Sequence, residues 1–173
     1  LNDIYDKPMN QHALWKKGTT LITGDSLLNE IDEGRLRNTK VRAFPGASIE
    51  DIVYHLNALL RKQPSNIIIH IGTNNCVSEK SEEIINKLIK LRLFIHSKVP
   101  NCHVIFSTLI VRKDDPIAEK TVIAVNERLK KLDFELMNNG NIGTQHLGKK
   151  GLHLNDHGTG KLAINIIRTL QSL

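Results

Sequence analysis

Residues 20–31 read Thr20-Leu21-Ile22-Thr23-Gly24-Asp25-Ser26-Leu27-Leu28-Asn29-Glu30-Ile31, and this stretch decides the fold. Thr20 to Thr23 is β-branched and apolar, the composition of a short buried strand. Gly24 interrupts it, after which Leu27, Leu28 and Ile31 recur at helical spacing. The pattern predicts a strand that turns sharply at a glycine and leaves as a helix. Ser26 then stands at a strand's C-terminal end beside a helix N-terminus, where open parallel α/β sheets bind ligands. A serine there can present its hydroxyl to a cleft, with backbone N–H groups nearby to receive negative charge. The same residues also read as a plain helix cap, made by Asp25 or Ser26.

The rest of the chain repeats the alternation. Lys40 to Phe44 reads as a short strand ending at Pro45-Gly46. Ser48 to Lys62 is the clearest helix: Ile49, Ile52, Val53, Leu56, Leu59 and Leu60 form one stripe, and Ser48 with Asp51 resembles a capping box. Asn66 to Ile71 is a near-continuous apolar run, the signature of a central parallel strand. His70 within it reads as a core histidine, and Gly72-Thr73-Asn74-Asn75 ends it. Ser81 to Lys98 is a second amphipathic helix, and Cys102 to Leu109 the next strand. Asp115-Pro116 opens a third helix with the stripe Val122, Val125, Leu129, Leu132 and Leu136. Asn138 to Gly151 is a loop with a short strand expected near Ile142, and Asn155 or Asp156 caps the last helix. The expected fold class is α/β: a three-layer α/β/α sandwich around a flavodoxin-like parallel sheet of about five strands. The turns leaving the strands would open on one sheet edge.

Composition narrows the function. The 173 residues suit one domain, expected over 19–173, with 1–18 as a polar N-terminal arm anchored by Trp15. The arm lacks a signal-peptide core, no run is long enough to span a membrane, and the chain starts without Met. A cytoplasmic domain cut from a longer protein is therefore expected. The two cysteines, Cys76 and Cys102, make no disulfide framework, which fits a reducing compartment. The net charge of +6 permits attraction to RNA, but the basic residues are scattered along helices and aromatic content is only 4%, which argues against a base-stacking platform. His153 and His157 lack the glutamate of a zinc-protease helix, so no metal site is expected.

The blocks Gly24-Asp25-Ser26, Gly46, Gly72-Thr73-Asn74 and Gly151-Leu152-His153-Leu154-Asn155 resemble, in order, those of the SGNH (GDSL-like) hydrolase superfamily. The resemblance implies that Ser26 is the nucleophile and His153 the base, with an oxyanion hole from the Ser26 and Gly46 amides and the Asn74 side chain. It implies a serine esterase acting on a small acyl ester or lipid, with no metal or cofactor. One block departs from the pattern. The family has an aspartate three residues before the histidine, and this chain has Lys150. Either the Lys150 carbonyl or Asp156 then holds the His153 ring, or the domain is a weak or inactive module that binds RNA or protein. The phrase from His146 to Asn155 is similar to SGNH domains of LINE-type retrotransposon first-reading-frame proteins, which implies association with a ribonucleoprotein through the full-length protein.

Overall fold

Five parallel strands form the centre of the computed structural model, which describes residues 14–173. In chain order the elements are β1 (Thr20–Gly24), β2 (Thr39–Ala43), α1 (Ile49–Leu60), β3 (Asn66–His70), α2 (Ser81–Lys98), β4 (His103–Ser107), α3 (Pro116–Leu129), β5 (Glu135–Met137) and α4 (Asp156–Gln171). The sheet order is β2-β1-β3-β4-β5, and every neighbouring pair is parallel. This is the flavodoxin-like order, in which the direction of winding reverses between β1 and β3.

Alternation along the buried strands separates the two faces. Leu21, Ile67, Ile69, Val104 and Phe106 join the layer of α1, α2 and α3. Ile22, Ile68 and Ile105 pack in the other direction, with Leu162 and Ile166 of α4. The three-layer expectation therefore holds. Helix α1 shows why the ends fall where they do: Ser48 Oγ accepts from the Asp51 amide and Asp51 accepts from the Ser48 amide. Its Ile49, Ile52, Leu56 and Leu60 are buried, each contributing about 1.5–3 kcal/mol. Asp115 caps α3 ahead of Pro116, and Asn155, not Asp156, caps α4 by accepting from Gly158. Trp15 packs against the larger core, and its amide donates to the Lys62 carbonyl. The rest of the expected arm, residues 1–13, lies outside the described residues.

Three expectations are corrected. The helix after Ser26 is only a 3₁₀ turn, Ser26–Leu28. Asp32 stops any longer helix by adopting extended backbone and accepting from the Gly34 amide at 2.9 Å, which starts a second short turn. The third helix ends at Leu129, and Leu136 belongs to a strand instead; Phe134, just before that strand, stacks on Phe106 with ring centres 4.7 Å apart. The fifth strand is consequently Glu135–Met137, and Ile142 is a buried loop residue of the α4-side core.

The second short turn, Glu33–Arg35, reaches the edge of the sheet. Glu33 accepts from Lys40 Nζ, the Val41 amide and Arg42 Nη1, each at 2.8 Å. Burial raises its pKa, but these hydrogen bonds outweigh that and hold the carboxyl at about 2.

Candidate active site

Ser26 follows β1, Asn74 follows β3, and His153 lies in the loop before α4. All three line one small cleft, together with Asp25, Leu27, Thr73 and Leu152. The cleft sits where the winding reverses, at the C-terminal ends of β1 and β3, and its volume is about 10 Å³, room for about one water. A larger hollow of about 580 Å³ opens beside Thr20 and Asn66, at the strands' N-terminal ends, and among the described residues it gathers no serine, histidine or acid.

The cap of the Gly-Asp-Ser turn is Asp25, and Ser26 stands at the cleft. Asp25 is the cap: its Oδ1 accepts from the Leu27 amide at 3.0 Å. Ser26 is thereby left half-buried at the cleft. Gly24 ends β1 inside the sheet, where any Cβ would lie 1.9 Å from the His70 carbonyl oxygen. That contact, rather than a turn, is what demands glycine. Gly46 is different. It is exposed, its φ is +76°, and no atom lies within 4 Å of where a Cβ would stand. A glycine adopts this left-handed backbone without strain. Gly46 is not among the residues lining the cleft, but its neighbour Ala47 is tied to it through Asn74. Among the described residues the Ser26 and Gly46 amides have no backbone partner.

Asn74 is held firmly. Its Nδ2 donates to the Ala47 carbonyl at 2.8 Å, which leaves its second amide hydrogen for a ligand. Asn75 locks the same turn onto α1. Its Oδ1 accepts from the Ile49 amide at 3.0 Å, while its Nδ2 donates to Glu50 and Glu79. Lys87 pairs with both of those carboxylates.

No family model matches the chain, and no curated protein matches it. Solved structures do. It is similar to a member of the lipolytic G-D-S-L family from Veillonella parvula, at 17% identity and a TM-score of 0.72 over 90% of this chain and 99% of that one. It is similar to a GDSL-like lipase from Bacteroides thetaiotaomicron, at 12% identity and 0.73 over 90% and 88%. A third is the esterase EstA of Pseudoalteromonas, inhibited by monoethylphosphonate, at 15% identity and 0.68 over 90% and 97%. The fold is that of the GDSL hydrolases.

Within this GDSL hydrolase fold the histidine loop is held through its backbone. His153 is exposed. Its carbonyl accepts from the Gly148 amide at 2.7 Å, and Leu147 and Leu154 bridge across the loop. Its ring makes no hydrogen bond among the described residues: neither the Lys150 carbonyl nor Asp156, the exposed first residue of α4, accepts from it. His157 is also exposed, and among the described residues no three metal-ligating side chains gather.

His70 is a core histidine with one nitrogen satisfied. Its Nδ1 lies 2.8 Å from Ser107 Oγ, which accepts from Asn139 Nδ2 at 2.7 Å. Its Nε2 is buried and has no partner among the described residues, and the same holds for Asp25 Oδ2. Burial pushes the His70 pKa down and the Asp25 charge pulls it back only in part, so the ring is neutral at pH 7. Burial likewise pushes the Cys76 and Cys102 thiols up to about 12, which makes both inert.

The sequence reading missed Arg112. It is a guanidinium only 4% exposed, in the loop between β4 and α3. Its Nε and Nη2 fork onto Asp114 at 2.8 and 2.5 Å, and its Nη1 donates to the Thr73 carbonyl at 3.0 Å. Those bonds hold the Asp114 carboxyl below the usual carboxylate range. An arginine two residues before an aspartate, after the apolar run Leu109-Ile110-Val111, is the available signal.

Proposed function

We propose that the chain is a serine esterase of the SGNH type that hydrolyses short-chain acyl esters, acetyl esters above all, through an acyl-enzyme. The observation that carries this reading is the convergence of Ser26, Asn74 and His153, from separate loops, on one cleft. Ser26 Oγ attacks the ester carbonyl as the His153 ring takes its proton. The carbonyl oxygen becomes an oxyanion, received by the Asn74 amide and by the Ser26 and Gly46 N–H groups. The C–O bond breaks, the alcohol leaves with the proton from His153, and a seryl ester remains. Water then attacks that ester by the same route in reverse, which releases the acid and restores Ser26. The names of the structural neighbours, lipase and esterase, support the reaction class. Leu27 and Leu152 wall the small cleft and favour a short acyl group. The setting we infer is a cytoplasmic retroelement ribonucleoprotein, in which RNA contact falls to other parts of the full-length protein.

Hydrolysis of p-nitrophenyl acetate by wild type and Ser26→Ala tests the reading, together with labelling of Ser26 by a fluorophosphonate. Turnover and labelling lost together in Ser26→Ala support it; a variant that keeps its turnover overturns it. The second reading, a non-catalytic module binding RNA or protein, is favoured by the unheld His153 ring. It predicts no turnover in wild type and RNA binding that survives moderate salt, against the salt-sensitive binding that scattered charge gives.

A further inference from the structure

We propose that Arg112 and Asp114 are positioning residues of this site, a clamp that fixes the Asn74 turn and the His153 loop to one rigid segment. The proposal rests on the esterase reading. Arg112 Nη1 holds the carbonyl of Thr73, the residue before Asn74. The next residue, Lys113, donates its amide to the Gly151 carbonyl at 2.7 Å, two residues before His153. The contact is close: a Cβ on Gly151 would lie 3.0 Å from the Asp114 amide nitrogen. Residues 112–114 therefore touch both halves of the cleft. The segment is itself anchored, because the following Asp115 accepts from the Ile117 and Ala118 amides at the start of α3.

The chemistry of the pair suits this task. A buried guanidinium needs its charge and its donors satisfied, and the fork onto Asp114 balances the charge and takes up two of the five N–H donors in a fixed plane. Nη1 is aimed at backbone, the Thr73 carbonyl, not at another side chain. Where Lys150 stands in place of the family's aspartate, no acid among the described residues holds the His153 ring, so its placement depends on the backbone of its loop. The backbone contact with residues 113–114 supplies that hold.

Arg112→Gln should lower kcat on p-nitrophenyl acetate by about ten- to a hundredfold, the scale of a small misplacement of reacting groups, with KM changed by less than about twofold. Arg112→Lys should recover little, since an ammonium cannot fork. A purely structural role would not separate kcat from KM. Ile95→Val, a core change near the far end of α2, serves as control and should leave kcat unchanged. Hydrogen exchange gives a readout free of activity: in Arg112→Gln, amides of residues 74–77 and of 148–154 should lose protection together, and in Ile95→Val neither should. If Arg112→Gln does not fold, Asp114→Asn takes its place. A variant with wild-type kcat, or with exchange raised in only one of the two segments, overturns the clamp. Wild type without Ser26-dependent turnover overturns the esterase reading instead, and exchange then still decides whether the two segments are coupled.

Discussion

The two sides of the cleft are built to different standards. On one side Asn74 is fixed by the Ala47 carbonyl, and Asn75 beside it ties the turn to α1 through Ile49 and Glu50. On the other side the His153 ring is exposed and unbonded, and only the backbone of its loop is held. The difference teaches where order is needed before substrate arrives. Oxyanion donors work by already being in place when charge develops. A general base must reach a serine, pass a proton on and receive another, and apo geometry at such bases is often loose.

The comparison breaks most completely if either reacting side chain proves dispensable. Ser26→Ala and His153→Ala should each lower kcat by about four powers of ten, the scale seen when a triad is disabled on another fold, with p-nitrophenyl acetate as substrate and circular dichroism to confirm folding. Residual turnover above a tenth of wild type in either would remove that residue from the reaction. Asn74→Ala should lower kcat by about two to three powers of ten and leave KM nearly unchanged, the mark of a group acting on the transition state. An effect confined to KM would mean that the ordered side only binds substrate.

His70 sharpens the comparison beneath the ordered side. It is neutral in the fold with its pKa lowered from 6.5. The unfolded chain therefore binds a proton that the native state refuses as pH falls below 6.5, so stability present above that value should be lost at up to about 1.4 kcal/mol per pH unit. Urea midpoints at pH 7 and 5.5 should show this loss in wild type and not in His70→Gln, which keeps a partner for Ser107. Equal losses in both would assign the acid sensitivity elsewhere. The smallest effect is expected on the loose side: Lys150→Ala and Asp156→Ala should change kcat by less than about twofold, since neither holds the ring, and Lys150→Asp should leave activity equal or higher. A hundredfold loss in Asp156→Ala without unfolding would make it the acid of a full triad.

Much of the architecture is legible in the sequence because it rests on local patterns. The strand alternation and the stripe of α1 are periodicities, and the Ser48 and Asp115 caps are short-range hydrogen bonds. The failures have the same origin. Leu27, Leu28 and Ile31 have helical spacing and are all buried, yet Asp32 diverts the backbone before a helix forms. Ile142 mimics a strand because a loop also buries apolar side chains. At the site, Ser26, Asn74 and His153 stand in motifs, whereas Arg112 and Thr73 meet across 39 positions of chain, which no local pattern records. The state of the His153 ring is likewise a matter of what surrounds it in space.

Glu33 has a consequence for how the molecule meets its neighbours. β2 is an outer strand, and such a strand offers its free backbone donors to any extended chain that drifts past. Here the Val41 donor is already occupied by a carboxylate, and Lys40 and Arg42 bring two further charges to the same rim. An incoming strand would have to displace an ion pair and leave charges without partners before it gained a ladder bond. The opposite rim needs less protection, because β5 is only three residues long. The sheet is thus closed to lateral growth at one rim by charge and at the other by brevity, and the guard on β2 is lost only in strong acid, where Glu33 takes up a proton at a pH of about 2.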